Sequence, residues 1–211
     1  MKSSPVLTWL TLFTAVLVAF AALVGIFWQS SGQPFQFTTL HGQSVEIYGQ
    51  GLYQSDQSVI AVGFRIGDAY TLLVGLPCLL ISLWLARRGS LRGGLFLAGS
   101  LAYLLYLYLS LGFGAAYNNL LLVYILIVSL TLLGFFATLR AVETDSLPKR
   151  YAAHAPIRGT AIFLMVTGAL LFLIWFLLSL FPALLAGTVP AELGSYTTII
   201  TFVVDMGILA P

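Results

Sequence analysis

Charged residues are scarce in this sequence. They make up 8% of its 211 residues, whereas hydrophobic residues make up 60%. A soluble domain is typically about 25% charged, so this composition excludes an ordinary soluble domain and predicts an integral membrane protein. The few basic residues form no continuous tract, and we therefore expect no nucleic-acid partner.

Cysteine, histidine and the common catalytic motifs are also sparse. The single cysteine, Cys78, cannot form a disulfide within one chain. The two histidines, His41 and His154, fall on opposite sides of the membrane in the topology given below, which excludes a shared metal ion or a bis-histidine haem in one subunit. Phosphate-binding loops and the GxGxxG, GxSxG and HExxH motifs are absent. The sequence therefore predicts no metal, no cofactor and no catalytic residue.

Long apolar runs are the main positive feature. A helix rises about 1.5 Å per residue, so about 20 apolar residues cross a hydrocarbon core about 30 Å thick. Six candidate helices emerge, at residues 5–28, 68–86, 91–113, 117–139, 160–181 and 194–211, the fifth closed by a proline. We expect an all-α membrane protein with about six transmembrane helices, in a single transmembrane domain that covers residues 1–211.

The basic residues predict the orientation. With the N-terminus in the cytoplasm, eight of the nine basic residues fall on the cytoplasmic side and only Arg65 lies outside. The cytoplasmic residues are Lys2, Arg87, Arg88, Arg92, Arg140, Lys149, Arg150 and Arg158. This bias predicts a multi-pass protein of the bacterial plasma membrane, that is, the inner membrane, whose first partner is the lipid bilayer.

The outer loop, residues 29–67, is the one long segment between the first two predicted helices. Within it, residues 35–40 and 45–48 are rich in β-branched and aromatic residues and flank the turn-like residues 41–44. The pattern predicts a β-hairpin. Because an isolated hairpin is marginal in water, we expect it to be supported by helix ends or the lipid surface, with residues 58–66 as one such support.

Asp205 is the most specific candidate for a functional residue. It lies in an apolar run, where a charge at the bilayer centre costs at least about 2.5 kcal/mol. One interpretation is an ion or proton site that includes the hydroxyl of Thr201, one helical turn away. The other is a carboxyl that joins helices through hydrogen bonds.

The last apolar run also ends abruptly. Counted from Thr197, it covers only about 22 Å, which is less than the bilayer core. It stops at Pro211 with no basic or polar tail. From this pattern we expect the chain to be a fragment of a longer protein.

Asp68 is expected to begin the second helix. As the N-cap, its side chain would accept hydrogen bonds from the first free backbone N–H groups. The functional alternative is a contact to a cation or substrate at the outer mouth of a pathway.

The third predicted helix carries a polar face. Gly99, Tyr103, Tyr106 and Ser110 recur at three- and four-residue spacings and share one side of the helix. That face either lines a polar cavity or packs against another helix with its hydroxyls satisfied. In the turn that follows, Asn118 is expected to cap a tight reversal, with ligand binding as the alternative.

Several short motifs resemble those of a known group. They are Gly51-Leu52-Tyr53, the turn from Arg87 to Gly93, the tyrosine-rich helix that leads to Tyr117-Asn118, and Asp205-Met206-Gly207. Together they resemble bacterial multi-pass membrane proteins of unknown function. The resemblance implies a membrane fold over most of the chain and transfers no activity and no site.

Three functional hypotheses follow. The first is a non-enzymatic protein that senses, scaffolds or assembles with protein partners or with further copies of itself. The second is a small transporter or channel whose pathway uses Asp205, Thr201, Asp68, Tyr103, Tyr106 and Ser110, because intramembrane ionisable residues mark such pathways. The third is an intramembrane enzyme that depends on a partner.

Overall fold

A computed structural model describes residues 5–39, 42–142 and 157–188 of the chain. The protein is mostly helical, with one small antiparallel sheet. The described residues divide into two compact units, and each is treated separately below. The first contains residues 5–35 and 47–142, and the second contains residues 36–39, 42–46 and 157–188.

The first unit is a bundle of four long rods. They are α1 (Pro5–Phe27), the continuous rod formed by α2 (Ser58–Tyr70), a π-helical turn (Thr71–Gly75) and α3 (Leu76–Arg87), then α4 (Leu91–Gly114) and α5 (Leu121–Ala141). Helix α4 packs against α3 and α5, while α1 packs against α2, α3 and α5. The bundle is therefore closed on itself rather than extended as a row.

The second unit contains one long rod and most of a hairpin. The rod consists of α6 (Ile157–Trp175), a second π-helical turn (Phe176–Leu180) and α7 (Phe181–Ala186). The hairpin consists of β1 (Phe35–Thr38) and β2 (Ser44–Ile47), which pair with each other. Val45 and Ile47 are buried while Ser44 and Glu46 are exposed, the alternation expected of a strand with one covered face. The predicted hairpin is thus confirmed.

Among the residues that the structure describes, five helices are long and apolar enough to cross a membrane. Four of these helices belong to the first unit and the fifth is the rod of the second. Five of the six predicted spans therefore appear as helices, and the sixth, residues 194–211, lies outside the described residues. The residues on which the prediction of a fragment depends, 197–211, also lie outside the described residues.

The predicted start of the second span at Asp68 is wrong. The helix begins at Ser58, so Asp68 is internal and cannot be an N-cap. Residues 58–66, which were predicted to belong to the outer loop and to support the hairpin, are instead the first part of this helix. Gly63, Arg65 and Gly67 lower the apolar character of this helix, but a continuous helix satisfies its own backbone N–H and C=O groups.

The predicted end of the fifth span at Pro182 is also wrong. The helix continues through this proline to Ala186 and ends at Gly187, whose φ of 62° provides a left-handed cap. A proline lacks an N–H group and its ring clashes with the carbonyl four residues earlier. Here the π-helical turn ends two residues before the proline, and the same spacing occurs at Pro77, so in both rods the carbonyl four residues before the proline lies in a widened turn, which accommodates the ring.

The fourth predicted span begins four residues later than expected. Helix α5 starts at Leu121, because the preceding turn uses Asn118 as its cap: the Asn118 side-chain oxygen accepts the N–H of Leu120 at 3.0 Å. The expected capping role of Asn118 is confirmed.

The core of the first unit is a stripe along α4. The buried residues of this stripe are Leu97, Leu101, Leu104, Tyr108 and Leu111. Gly94 and Ala98, two small residues one helical turn apart, are buried too and let neighbouring helices approach closely. Buried threonines such as Thr11 and Thr131 donate to the carbonyl four residues earlier, at 2.8 Å and 2.7 Å. Buried hydroxyls of this kind are satisfied within their own helix and indicate no site.

Candidate functional site

Two buried carboxyl groups of the first unit, Asp56 and Asp68, are hydrogen-bonded at one end of the bundle. There the end of α1, the start of α2 and the turn between α4 and α5 meet the loop of residues 48–57. Three pockets of about 220, 260 and 190 Å³ open at this end. We call it the loop end of the bundle.

A buried pair, Tyr53 and Asp68, connects the 48–57 loop to α2. The Tyr53 hydroxyl donates to the Asp68 carboxyl at 2.7 Å, and the two residues are only 1% and 2% exposed. Burial, reinforced by the neighbouring Asp68, raises the pKa of the Tyr53 hydroxyl, so Tyr53 remains the proton donor. The ring of Phe64 packs on Tyr53 at 5.4 Å between centroids and helps to exclude water.

Gly25 makes room for this pair. A Cβ atom at this position of α1 would lie 1.9 Å from a carboxyl oxygen of Asp68 and 3.1 Å from the Tyr53 hydroxyl. Helix α1 can therefore approach Asp68 this closely only with a residue that has no side chain. The sequence shows Gly25 as one of many glycines, and nothing in its spacing marks this contact.

Arg65 lies on the same helix as Asp68, at the edge of the first pocket. Its guanidinium donates to the Tyr48 hydroxyl and, at 3.0 Å, to the carbonyl of Ile26. That carbonyl belongs to the last turn of α1, where the helix dipole favours a positive charge. Arg65 also interacts electrostatically with Asp68. One exposed cation therefore binds the end of α1 and attracts a buried carboxyl group.

A second buried carboxyl, Asp56, connects the same loop to the turn between α4 and α5. Its carboxylate accepts the backbone N–H of Ala116 at 2.7 Å. Burial raises the pKa of Asp56 to about 6, although the hydrogen bond from Ala116 opposes this shift. Asp56 was not among the residues predicted from the sequence, because its partner lies 60 residues away along the chain.

The polar face predicted on α4 is divided between different environments. The Tyr103 hydroxyl lies 3.2 Å from the hydroxyl of Thr71 in the π-helical turn, and the Tyr103 ring meets Tyr70 edge-on at 5.9 Å. Ser110 instead donates to the carbonyl of Tyr106 in its own helix at 3.0 Å. Tyr103 is thus placed one turn from Asp68, while Ser110 is satisfied locally, and none of the three pockets above is lined by these α4 residues.

The α4 tyrosine that points into the core is Tyr108. Its hydroxyl donates to the carbonyl of Val18 in α1 at 3.3 Å, and its ring lies 5.8 Å from that of Tyr124. Tyr108 and Tyr124 were not among the residues predicted from the sequence. The spacing of Tyr108 in register with Leu97, Leu101 and Leu104 was a usable signal, because it continues the apolar side of α4.

The candidate residues Asp205 and Thr201 lie outside the described residues, and their pathway role stays a prediction. Within residues 5–39, 42–142 and 157–188 the structure contains no group of three or more His, Cys, Asp or Glu side chains that could hold a metal ion. The arrangement at the loop end can bind through hydrogen bonds and can couple the loop to the helices. No protein-family model, curated protein or solved structure matches this chain.

Proposed function

We propose that this chain is a non-enzymatic multi-pass protein of the bacterial inner membrane that senses, scaffolds or assembles with partners through the loop end of its bundle. Its N-terminus lies in the cytoplasm and the loop end lies outside. The five long apolar helices support membrane insertion. Loops between helices and at helix ends are where binding residues concentrate in such folds.

The distribution of arginines in the first unit supports this orientation. Arg87, Arg88 and Arg92 border the turn between α3 and α4, and Arg140 lies in the last turn of α5. All four are at the end of the bundle opposite the loop end. At the loop end itself, Arg65 is the basic residue that lines the first pocket. Basic residues accumulate on the cytoplasmic side of membrane proteins.

The observation that carries the proposal is the double attachment of the 48–57 loop. Through Tyr53 it is bonded to Asp68 of α2, and through Asp56 it is bonded to Ala116 in the turn before α5. A ligand or partner that moves this loop would therefore change contacts on two separate parts of the bundle. A sensor or an assembly factor needs this coupling between an outer surface and its helices.

The pocket of about 220 Å³ is the proposed contact surface. Its polar lining comes from the α1 end, the loop and α2, and consists of Gln29, Ser30, Tyr48, Gln50, Tyr53 and Arg65. Arginine and tyrosine are enriched where proteins bind one another. A polar partner segment or small polar ligand would reach Arg65 directly and Asp68 only through Tyr53.

A photo-crosslinking residue at Gln50 tests this function in native membranes. We expect Gln50, which is exposed in the pocket, to form one discrete adduct, whereas the same residue at Leu122, an exposed apolar position of α5, should react with lipid only. Asp56→Ala should weaken the Gln50 adduct because the loop loses one attachment. A pattern at Gln50 identical to that at Leu122 would contradict the proposal.

A specific observation favours the small transporter as the second candidate. Asp68 is buried within a helix of spanning length and lies just before a π-helical turn, a feature that often occurs at functional sites. Thr71 and Tyr103 extend this polar strip. In vesicles that hold the purified protein and a pH-sensitive dye, proton flux that Asp68→Asn abolishes would favour transport, and the absence of flux would favour the binding function.

A further inference from the structure

The pocket of about 260 Å³ at the loop end has no part in the function proposed above. It lies where the last turns of α1, the 48–57 loop and the turn between α4 and α5 meet. The lining side chains that carry a polar group are Trp28, Gln54, Tyr117, Asn118 and Asn119. We call this cavity the amide pocket.

Three aromatic side chains line the amide pocket, and all of them are exposed. They are Phe20, Trp28 and Tyr117. An exposed aromatic ring offers a flat apolar face to a ligand, and the negative charge of its π-electrons attracts C–H groups that carry a partial positive charge. The pocket therefore favours a ligand that has an apolar face of about one ring.

Amide groups supply the polar part of the lining. The side chains of Gln54 and Asn119 are exposed, so a ligand in the pocket can reach both. Each amide holds two N–H donors beside a carbonyl acceptor, which suits hydroxyl groups, because a hydroxyl also donates and accepts. Among the described residues that line the pocket none is charged, so nothing there would offset the cost of taking an ion out of water. The pocket therefore favours a neutral ligand with several hydroxyl groups.

The backbone on both sides of the amide pocket is fixed by hydrogen bonds. In the loop, Gln54 lies between Gly51, whose N–H donates to the Ser30 hydroxyl at 2.8 Å, and Asp56, which is bonded to the turn before α5. On the other side, Asn119 belongs to that turn, which is capped as described above. Binding groups on a fixed backbone lose less entropy when a ligand arrives. The two amides are therefore held in place before binding.

A hexose ring combines the properties that this lining favours. It is neutral, one of its faces presents C–H groups, and hydroxyl groups surround its rim. A cavity of about 150 Å³ holds a benzene molecule, so about 260 Å³ leaves space for the hydroxyl groups as well. We propose that the amide pocket binds a neutral sugar ring of the hexose class, with its apolar face on Trp28 and its hydroxyl groups bonded to the amides of Gln54 and Asn119.

The sugar ring can come from two sources. Exposed tryptophan and tyrosine side chains, such as Trp28 and Tyr117, are typical of a membrane interface. The ring can therefore belong to a free sugar or to the headgroup of a glycolipid. The proposal does not rest on the function proposed above, because Gln50 and Arg65 line the other pocket and not this one.

Methyl glycosides test the proposal on the purified full chain, in a detergent that has no sugar headgroup. From the glycosides of glucose, galactose, mannose and N-acetylglucosamine, we expect at least one to bind saturably in ligand-observed NMR, with the strongest saturation transfer to the C–H groups of one ring face. Sorbitol has at least as many hydroxyl groups but no ring, and uracil is a flat ring without hydroxyl groups. Both should bind at least about fivefold more weakly than the best glycoside.

Substitutions inside and beside the amide pocket provide matched pairs. Trp28→Ala should weaken binding of the best glycoside about tenfold, whereas Phe27→Ala, at a position that is 69% exposed and outside the lining, should leave it unchanged. Asn119→Ala should weaken binding about fivefold, the effect of one hydrogen bond. Ser55→Ala, at an exposed loop position outside the lining, should have no effect. Because all four side chains are exposed, the variants should keep the fold.

Three results would overturn the proposal. They are the absence of saturable binding by every glycoside, binding of sorbitol or uracil as tight as that of the best glycoside, and unchanged binding in Trp28→Ala or Asn119→Ala.

Nanodiscs separate the two sources of the sugar. The best glycoside is titrated in discs of phospholipid alone and in discs that also contain a diacylglycerol lipid with the same sugar as its headgroup. Loss of glycoside binding in the second discs would identify a lipid headgroup as the natural ligand, whereas equal binding in both would indicate a free sugar.

Discussion

The rods of the two units have similar apolar character but very different surroundings. In the four spans of the first unit, 28% to 44% of the most apolar stretch is buried, whereas the value for the rod of the second unit is 6%. In the first unit, the carboxyl groups of Asp68 and Asp56 accept hydrogen bonds from other segments of the chain. In α6, by contrast, the Thr167 hydroxyl donates to the carbonyl of Phe163 in the same helix. Apolar length therefore indicates that a helix can span a membrane, but it does not indicate how much of the helix is covered by the rest of the described chain.

The largest expected effect comes from placing a methyl group where the first unit has no space for one. Gly25→Ala would put a Cβ atom 1.9 Å from Asp68, which must then move and lose its bond to Tyr53. We expect a loss of more than about 4 kcal/mol in the free energy of unfolding. Gly159→Ala in α6 meets open space and should stabilise that helix slightly. Thermal unfolding in detergent compares the two, and similar behaviour of both variants would remove the distinction between the units.

Truncating an apolar side chain should show the same contrast at smaller magnitude. Leu101→Ala removes a fully buried side chain of α4 and should cost about 3 kcal/mol, because it leaves a cavity. Phe163→Ala removes a side chain of α6 that is 67% exposed and should cost less than about 0.5 kcal/mol. Chemical denaturation of each variant measures the difference, and a cost for Phe163→Ala near that of Leu101→Ala would indicate that α6 is packed in solution.

The stability of the first unit should depend on pH through Asp56. Its pKa is raised from 3.8 to about 6, so the folded state holds this proton more tightly than the unfolded state does. Stability therefore falls as the pH rises from about 4 to about 6 and is constant above that range, a change on the order of 3 kcal/mol. Asp56→Asn keeps an oxygen for the Ala116 N–H and should remove this component. Parallel pH curves for the two proteins would contradict the assignment.

The smallest of these effects is the loss of one hydroxyl. Tyr53→Phe leaves the buried Asp68 carboxyl without its hydrogen-bond donor and should cost about 2 kcal/mol. Thr167→Val in α6 removes a hydroxyl that serves only its own helix, and we expect a change of less than about 0.5 kcal/mol. Hydrogen exchange should show faster opening of residues 48–57 in the Tyr53 variant, and unchanged exchange there would indicate that Asp56 alone fixes the loop.

The sequence was sufficient to predict the bounds of the helices whose apolar runs are uninterrupted. Helix α1 was predicted within one residue of Phe27 and α4 within one residue of Gly114, because length and apolarity alone define them. The errors at Ser58 and Pro182 arose where a charge or a proline interrupts a run that the helix nevertheless continues through. A helix that continues past such a residue keeps its backbone N–H and C=O groups hydrogen-bonded, and the local composition of the sequence does not show this.

The candidate site was much less accessible from the sequence. Asp68 was predicted from the sequence, but its expected role as an N-cap is wrong, and its role in a cation or substrate pathway stays a prediction. Its partner Tyr53 lies 15 residues away, and the partner of Asp56 lies 60 residues away. Such pairs form only when the helices and loops are packed together at the same end of the bundle. The periodicity within one helix does not predict that packing.

The widened turn at Thr71–Gly75 sets the phase between the two halves of its rod. A π-helical turn contains about one residue more than an α-helical turn, and one residue corresponds to a rotation of about 100°. Because the widened turn takes up its extra residue within a single turn, deleting one residue there would restore an ordinary α-helical turn and keep Leu79 and Leu83 directed at their neighbours. The rod should therefore tolerate a single-residue deletion in this turn better than a deletion elsewhere in α3, where no widened turn can absorb a rotation of about 100°.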